Sequence, residues 1–342
     1  MDIEQYVYGM SEEGEVVVVY LMRADNGAEI QLTNLGASVI SVKMPNAKGE
    51  LEDILLGYSD FANMLRDTAY MGRTIGRTVG RIASGEVTIG GEEHLLDLNA
   101  GAFHVHGGAS GYHKRMWESR VETNRVVMSL VGDDGESGYP GTLTAEVIFD
   151  FDDEMNFEIS YLAKSDKTTI VNLAPHLYFN LSGDMKSTML DHELQINASK
   201  VCEVDCYGAH TGELLAVEAT PLDFTSPKAI GADIKGDFNE MRYSRGYDHL
   251  FAIDSYEPQK LTHHATLSHA GSGRRVEVYS SQQGLGLYSG NHIAVGSPTG
   301  TKSGEKFVQY GGVVLMPQAL SGVEITPEEV YCQKNSYKFS TF

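Results

Sequence analysis

Positive charge is what this sequence lacks most. Lys and Arg number 26 against 47 Asp and Glu, giving a net charge of −21 and a pI near 4.9. A surface this acidic repels phosphate backbones and anionic lipid heads, and no Lys/Arg-rich run stands apart from it, so nucleic acid and membrane surfaces are excluded as partners. Long apolar runs are also missing. Val16 to Met22 is seven residues, where a membrane-spanning helix needs about 20. The acidic and polar start, Met1 to Glu15, offers no basic segment leading into an apolar one, so no export signal is expected. Cysteine is scarce and odd in number. Cys202, Cys206 and Cys332 fit neither a disulfide framework nor a zinc or redox pair, and the reading is reduced thiols in the cytoplasm. Proline, at 9 residues, and tryptophan, at one, are few as well, whereas the 37 glycines run to roughly half as much again as an average sequence. Many tight turns, and few long helices, follow.

What is present alternates. Leu143, Ala145, Val147, Phe149 and Phe151 define one face of a strand, and Phe157, Ile159, Tyr161 and Ala163 the next, with a polar turn over 152–156. That pair reads as an antiparallel hairpin. Further strands are expected over 16–23, 29–33, 39–44, 121–131, 168–173, 275–281 and 312–315. Helical periodicity is sparse, with Ser59 to Ala69 a short candidate capped by Ser59. The pattern predicts an all-β protein, a large antiparallel β-sandwich, built as a single domain over residues 1–342. It carries no signal for an oligomeric state.

Four segments hold chemistry-bearing side chains. Arg73, Arg77 and Arg81 recur every four residues, which in a strand puts all three on one face; they need carboxylates or ligand oxygens between them. His104 and His106 precede a double glycine and the sole tryptophan, Trp117. No glutamate follows at the spacing of a metal site, so the pair reads as polar donors beside an aromatic, a setting suited to a sugar ring. His176 stands in an otherwise apolar strand, and Asp248 and His249 follow a glycine. Two histidines and a carboxylate, without a serine elbow or reactive cysteine, point to proton transfer and not to a covalent intermediate. His263, His264 and His269 read as surface residues, and no metal site is expected.

Together these segments resemble the aldose 1-epimerase family, the galactose mutarotases. The landmarks occur in the family's order: LTNLGASVISVKMP, LLGY, GRTVGRI, NAGAFHVHGG, Trp117, GYPG, NLAPHLYFNLSG, HTGELLAVEATPLDF, GYDHLF, LYSGN and YKF. The resemblance implies a β-sandwich of the galactose mutarotase type. It also implies cofactor-free interconversion of the α and β anomers of a free monosaccharide of the galactose or glucose class. His176 falls on the family's acid, which protonates the ring oxygen. His106 falls on the histidine that polarises the same region, while Arg81 and Asp248 fall on residues that grip sugar hydroxyls. The family's catalytic base, a glutamate, is replaced by Met316, followed by Pro317 and Gln318. Gly80, Phe103, Pro175 and Gly286 depart from the family around the same pocket, and Glu324, in a shortened segment, is the candidate for a substitute carboxylate. Two other expectations stand beside mutarotation: a sugar-binding protein without turnover, motivated by Met316, and a hexose-phosphate epimerase using Arg73 and Arg77 for the phosphate.

Overall fold

Alternation becomes sheet in the computed structural model, which describes residues 2–11, 13–236, 238–296 and 300–342. Strand Leu143–Phe151 pairs antiparallel with Asn156–Ser165, Phe151 lying opposite Phe157. The five apolar side chains of the first strand are fully buried, the four larger than alanine each contributing about 1.5–3 kcal/mol relative to exposure. The turn between them is closed by Asp152, whose carboxylate accepts the backbone N–H groups of Glu154 at 2.9 Å and Asn156 at 2.8 Å. This hairpin sits inside a nine-stranded antiparallel sheet that includes the strands Tyr331–Thr341 and Arg274–Ser280. A five-stranded sheet begins the chain, and a six-stranded sheet carries Tyr178–Phe179, Val313–Gln318, Gly284–Tyr288, Asp248–Ala252, Lys200–Val204 and His210–Ala216 in that order. One hydrophobic cluster draws on all three sheets. Among the described residues no helix is long and apolar enough to cross a membrane.

The six-stranded sheet positions the site because its two faces have different chemistry. Phe251, Leu285, Leu287, Val313 and Leu315 turn into the shared core, while Asp248, Leu250, Gly286, Tyr288, Val314, Met316 and Gln318 line a cavity on the other side. A period of two enforces this, and a one-residue slip of Val313–Gln318 would drive Gln318 into the core and Leu315 out of it. Register across the sheet aligns Leu250 with Gly286 and Gly286 with Met316, and likewise Asp248 with Tyr288 and Tyr288 with Val314.

Some expectations are corrected. The segment 121–131 is two strands, Glu118–Glu122 and Arg125–Gly132, joined by a turn at Thr123 and Asn124 with Thr123 at φ 53°. The helix is shorter than its pattern, Phe61–Leu65, and its cap is Asp60, whose Oδ1 accepts the Asn63 N–H at 2.9 Å. Beyond it Asp67 diverts the chain by accepting the N–H groups of Ala69 at 2.9 Å and Met71 at 3.0 Å. The segment 73–81 is no continuous strand, so the three arginines share no face.

Candidate functional site

A cavity of about 380 Å³ opens beside the six-stranded sheet, and Arg81, His106, His176, Asp248, Met316 and Gln318 all line it. The sequence places these residues far apart, and long-range pairing brings them together. His176 lies between the short strands Ala174–Pro175 and Tyr178–Phe179, where its backbone N–H donates to the Arg73 carbonyl at 2.9 Å and its carbonyl accepts from Gly72 at 3.0 Å. The imidazole is buried and its Nδ1 has no partner among the described residues. Burial lowers its pKa to about 4, against the opposing pull of Asp67 and Asp248.

His106 follows the strand Phe103–Val105 at φ 52°, outside the sheet region. Its N–H donates to the Gly80 carbonyl at 3.1 Å, and its Nδ1 accepts the Gly80 N–H at 3.2 Å. That second bond puts the ring proton on Nε2. Desolvation, reinforced by His176 and His113, holds the imidazole well below its ordinary pKa and therefore neutral. Gly107 is obligatory next door, since a Cβ there would lie 1.8 Å from the Gly76 carbonyl oxygen and the residue sits at φ 87°. His106 and His176 stand 5.7 Å apart between ring centres, both against Tyr70. Asp67, through its bonds to Ala69 and Met71, holds Tyr70 in that place.

Arg81 reaches Asp248, Nη1 to Oδ2 at 3.2 Å. Both side chains are part-exposed, so the pair contributes under about 1 kcal/mol and serves chiefly to orient two hydrogen-bonding groups at the mouth. The Asp248 backbone N–H donates to Nδ1 of His249, leaving the buried His249 Nε2–H on the cavity wall without a partner among the described residues. Tyr70, Tyr178, Tyr288, His210, His249 and His292 are cavity residues that the sequence reading did not assign. Tyr178 and His249 sat within legible motifs. Tyr70 gave no signal, because only the Asp67 loop brings it in.

The floor of the cavity is apolar where a carboxylate was awaited. Met316 packs with Val314, Tyr178 and Ile293. Gln318 is 6% exposed and its carboxamide has no hydrogen-bonding partner among the described residues. Glu324 is not a substitute: it is the exposed residue of the strand Val323–Ile325 and lies outside the cavity lining, its carboxylate accepting the Gly90 N–H at 2.7 Å.

Other candidates are structural. Arg73 is buried with Asp67 at 3.2 Å and the carbonyls of Leu35 and Met64 at 3.1 and 2.8 Å. Arg77 is buried on the carbonyls of Pro140 and Gly141 at 3.1 and 3.0 Å. Neither faces the cavity, which removes the cations a phosphate would have needed. His104 points away from His106 and bridges Asp97 at 3.0 Å and the Tyr139 hydroxyl at 2.6 Å. Trp117 is a core residue and offers no stacking surface, and His264 is fully buried and not at the surface.

One group has the composition of a metal site. Asp191, His192 and His269 gather their side-chain ligand atoms within 4.8 Å of one another. The far nitrogen of each ring already accepts a backbone N–H, from Leu181 at 2.9 Å and from Ser272 at 3.2 Å. The nitrogens facing Asp191 therefore carry protons, that of His192 hydrogen-bonding to Asp191 at 3.1 Å and that of His269 lying 3.4 Å from it, which makes a protonated cluster and not a ligand set.

The chain has relatives among known proteins. The profile of the aldose 1-epimerase family covers residues 18–328. A galactose mutarotase of Bos taurus is 31% identical over 349 residues, spanning 99% of both chains. An aldose 1-epimerase of Escherichia coli K12 is 31% identical over 321 residues, spanning 93% of this chain and 91% of that one. The crystal structure of a galactose 1-epimerase from Lactobacillus acidophilus superposes with a TM-score of 0.85 at 27% identity, covering 99% of each.

Proposed function

Because the chain belongs to the aldose 1-epimerase family, we propose that it interconverts the α and β anomers of a free hexose of the galactose or glucose class. The observation that carries this is the placing of His176 in one cavity with His106, Arg81 and Asp248. Among the described residues the only charged side chains lining that cavity are Arg81 and Asp248, one of each sign, and they suit a neutral, hydroxyl-rich ligand. The reaction moves protons and no electrons, so the reading includes no cofactor. The proton of the anomeric hydroxyl leaves, the bond from C1 to the ring oxygen breaks, and the ring oxygen gains a proton. The open-chain aldehyde then turns about C1–C2, and closure reverses the transfers.

In this reading His176 protonates the ring oxygen, His106 donates from Nε2 to the same region, and Arg81, Asp248 and the unpaired His249 Nε2–H hold hydroxyls. Met316 cannot accept the anomeric proton, so water takes it. A positioned base is worth roughly 10²- to 10⁴-fold, and the rate falls short of a complete site by about that factor. The lowered pKa of His176 adds a second handicap at neutral pH. With a value of about 4 the acid form is disfavoured at pH 7 by about 4 kcal/mol.

Polarimetry on freshly dissolved α-galactose and α-glucose tests the reading. Acceleration proportional to protein, lost in His176→Ala, is expected. Binding of either sugar without acceleration would instead establish the second reading, recognition without turnover, which the thioether at Met316 motivates. We also read residues 1–342 as one domain, supported by a core running from Tyr20 to Phe339, and place the protein in the cytoplasm, supported by three free cysteines.

A further inference from the structure

A second cavity, also of about 380 Å³, adjoins the first and shares Gly80, Arg81, His210, Leu250 and Gln318 with it. Each is near the lower end of the roughly 300–1,000 Å³ range of ligand pockets, so together they form a two-chamber groove. Beyond Gln318 the second chamber has an apolar wall of Ile82, Val87, Ile170 and Leu320, with Thr88 and Ser321 as polar groups. Asn172 fixes its floor by donating to the carbonyls of Ala319 and Ser321 at 3.2 and 3.3 Å and accepting the Ala319 N–H at 3.1 Å. Arg81, at the shared edge, is the only charged side chain among the described residues of its lining. Such a chamber fits a neutral ring with one apolar face and hydroxyls around it, and offers little to a phosphate or carboxylate.

The junction between the chambers is chemically specific. Met316 and Gln318 point to the same side of their strand, and the chain runs from Met316 through Gln318 into the second chamber. Gly286 keeps the passage open, since a Cβ there would come within 2.6 Å of the Gln318 Nε2 and 3.4 Å of the Met316 methyl. A carboxylate at 316 requires an O–H to pair with, which an anomeric hydroxyl supplies. A glycosidic oxygen has no hydrogen, and facing a carboxylate it would leave that charge buried and unpaired. A thioether carries no such penalty, and the unpartnered Gln318 carboxamide can donate to the glycosidic oxygen.

We infer that the second cavity is a subsite for a sugar residue joined through the anomeric oxygen of the hexose in the first. The protein then also binds glycosides, which mutarotation cannot alter, and it binds a disaccharide more tightly than a single hexose. This rests on the placement of the hexose in the proposed function, with its anomeric end toward Met316.

Calorimetric titration with methyl glycosides tests it, because both anomeric centres are blocked and turnover plays no part. Methyl β-lactoside, methyl β-cellobioside and methyl α-maltoside are compared with the methyl glycosides of galactose and glucose, of the matching anomer. At least one disaccharide should bind tenfold or more tighter than the methyl glycoside of its non-reducing residue. Thr88→Trp and Ser321→Trp, at exposed positions in the second chamber, should each remove that gain and leave methyl hexoside affinity and mutarotation unchanged. Met316→Glu should weaken the methyl glycosides at least tenfold while sparing the free hexose. Disaccharides binding no tighter than methyl hexosides, or a gain that survives both tryptophans, would overturn the subsite. Neither outcome touches mutarotation, whose failure shows separately in the polarimetry.

Discussion

Two walls of one cavity contrast. The wall formed by Tyr70, His106 and His176 is dense in polar groups, with one imidazole tautomer fixed by a backbone N–H and the rings held edge to face. The opposite wall, strand Val313–Gln318, presents Val314 and Met316 and a single unpaired carboxamide. Both are packed against neighbouring side chains, so the difference is one of chemistry. In the proposed reading the binding groups and the proton donor belong to the first wall and the second offers no carboxylate as proton acceptor, which would separate recognition from turnover within the same pocket.

The sharpest way to break the contrast is to remove the polar wall's central group. His176→Ala should abolish protein-dependent mutarotation, a fall of about 10²- to 10⁴-fold, while calorimetry shows hexose affinity reduced far less. Repairing the apolar wall is the complementary change. Met316→Glu should raise the rate at pH 7 by about 10²-fold, because it restores a base and, by its charge, raises the pKa of His176.

A smaller effect separates the arginines. Arg77→Met should cost about 2–4 kcal/mol in chemical denaturation, since it strips the carbonyls of Pro140 and Gly141 of their donor in a buried place. Arg81→Met, at the exposed mouth, should change stability by less than about 1 kcal/mol and weaken hexose binding instead. If Arg77→Met left stability unchanged and impaired sugar binding, the division between structural and cavity arginines would be wrong.

Protonation gives a graded version of the same test. His176 and His249 are lowered to about 4, and His113 and His264 to about 3, all by burial. Unfolded histidines take up protons below about pH 6.5 and these do not until nearer 4 or 3, so the unfolded state binds more protons and stability drops as pH falls through that window. Denaturant midpoints measured from pH 7 to 4 should fall steadily. His264→Gln should flatten part of the slope without altering mutarotation.

Much of this was readable in advance where signals are local. The hairpin of Leu143–Phe151 and Asn156–Ser165 follows from alternation alone, and Arg81, His106, His176 and Asp248 were reached through motif and resemblance and do line one cavity. What stayed hidden depends on distant partners. Spacing could not show that Arg73 and Arg77 turn into the protein toward carbonyls of other loops, or that His104 and His106 diverge because the strand ends at Val105. Glu324 looked available until the Gly90 N–H claimed it, and the second chamber has no sequence signature because six separate segments enclose it.

The central claim is that His176 supplies the proton in a pocket that has lost its carboxylate. The pH dependence of mutarotation, with the uncatalysed rate subtracted at each pH, tests it most directly in the native protein and in Met316→Glu. With the acid form of His176 growing about tenfold per pH unit, the native rate constant should climb about that steeply from pH 7 to 5, and Met316→Glu should be nearly flat around neutrality. A native rate that is level or falls on acidification would contradict the account.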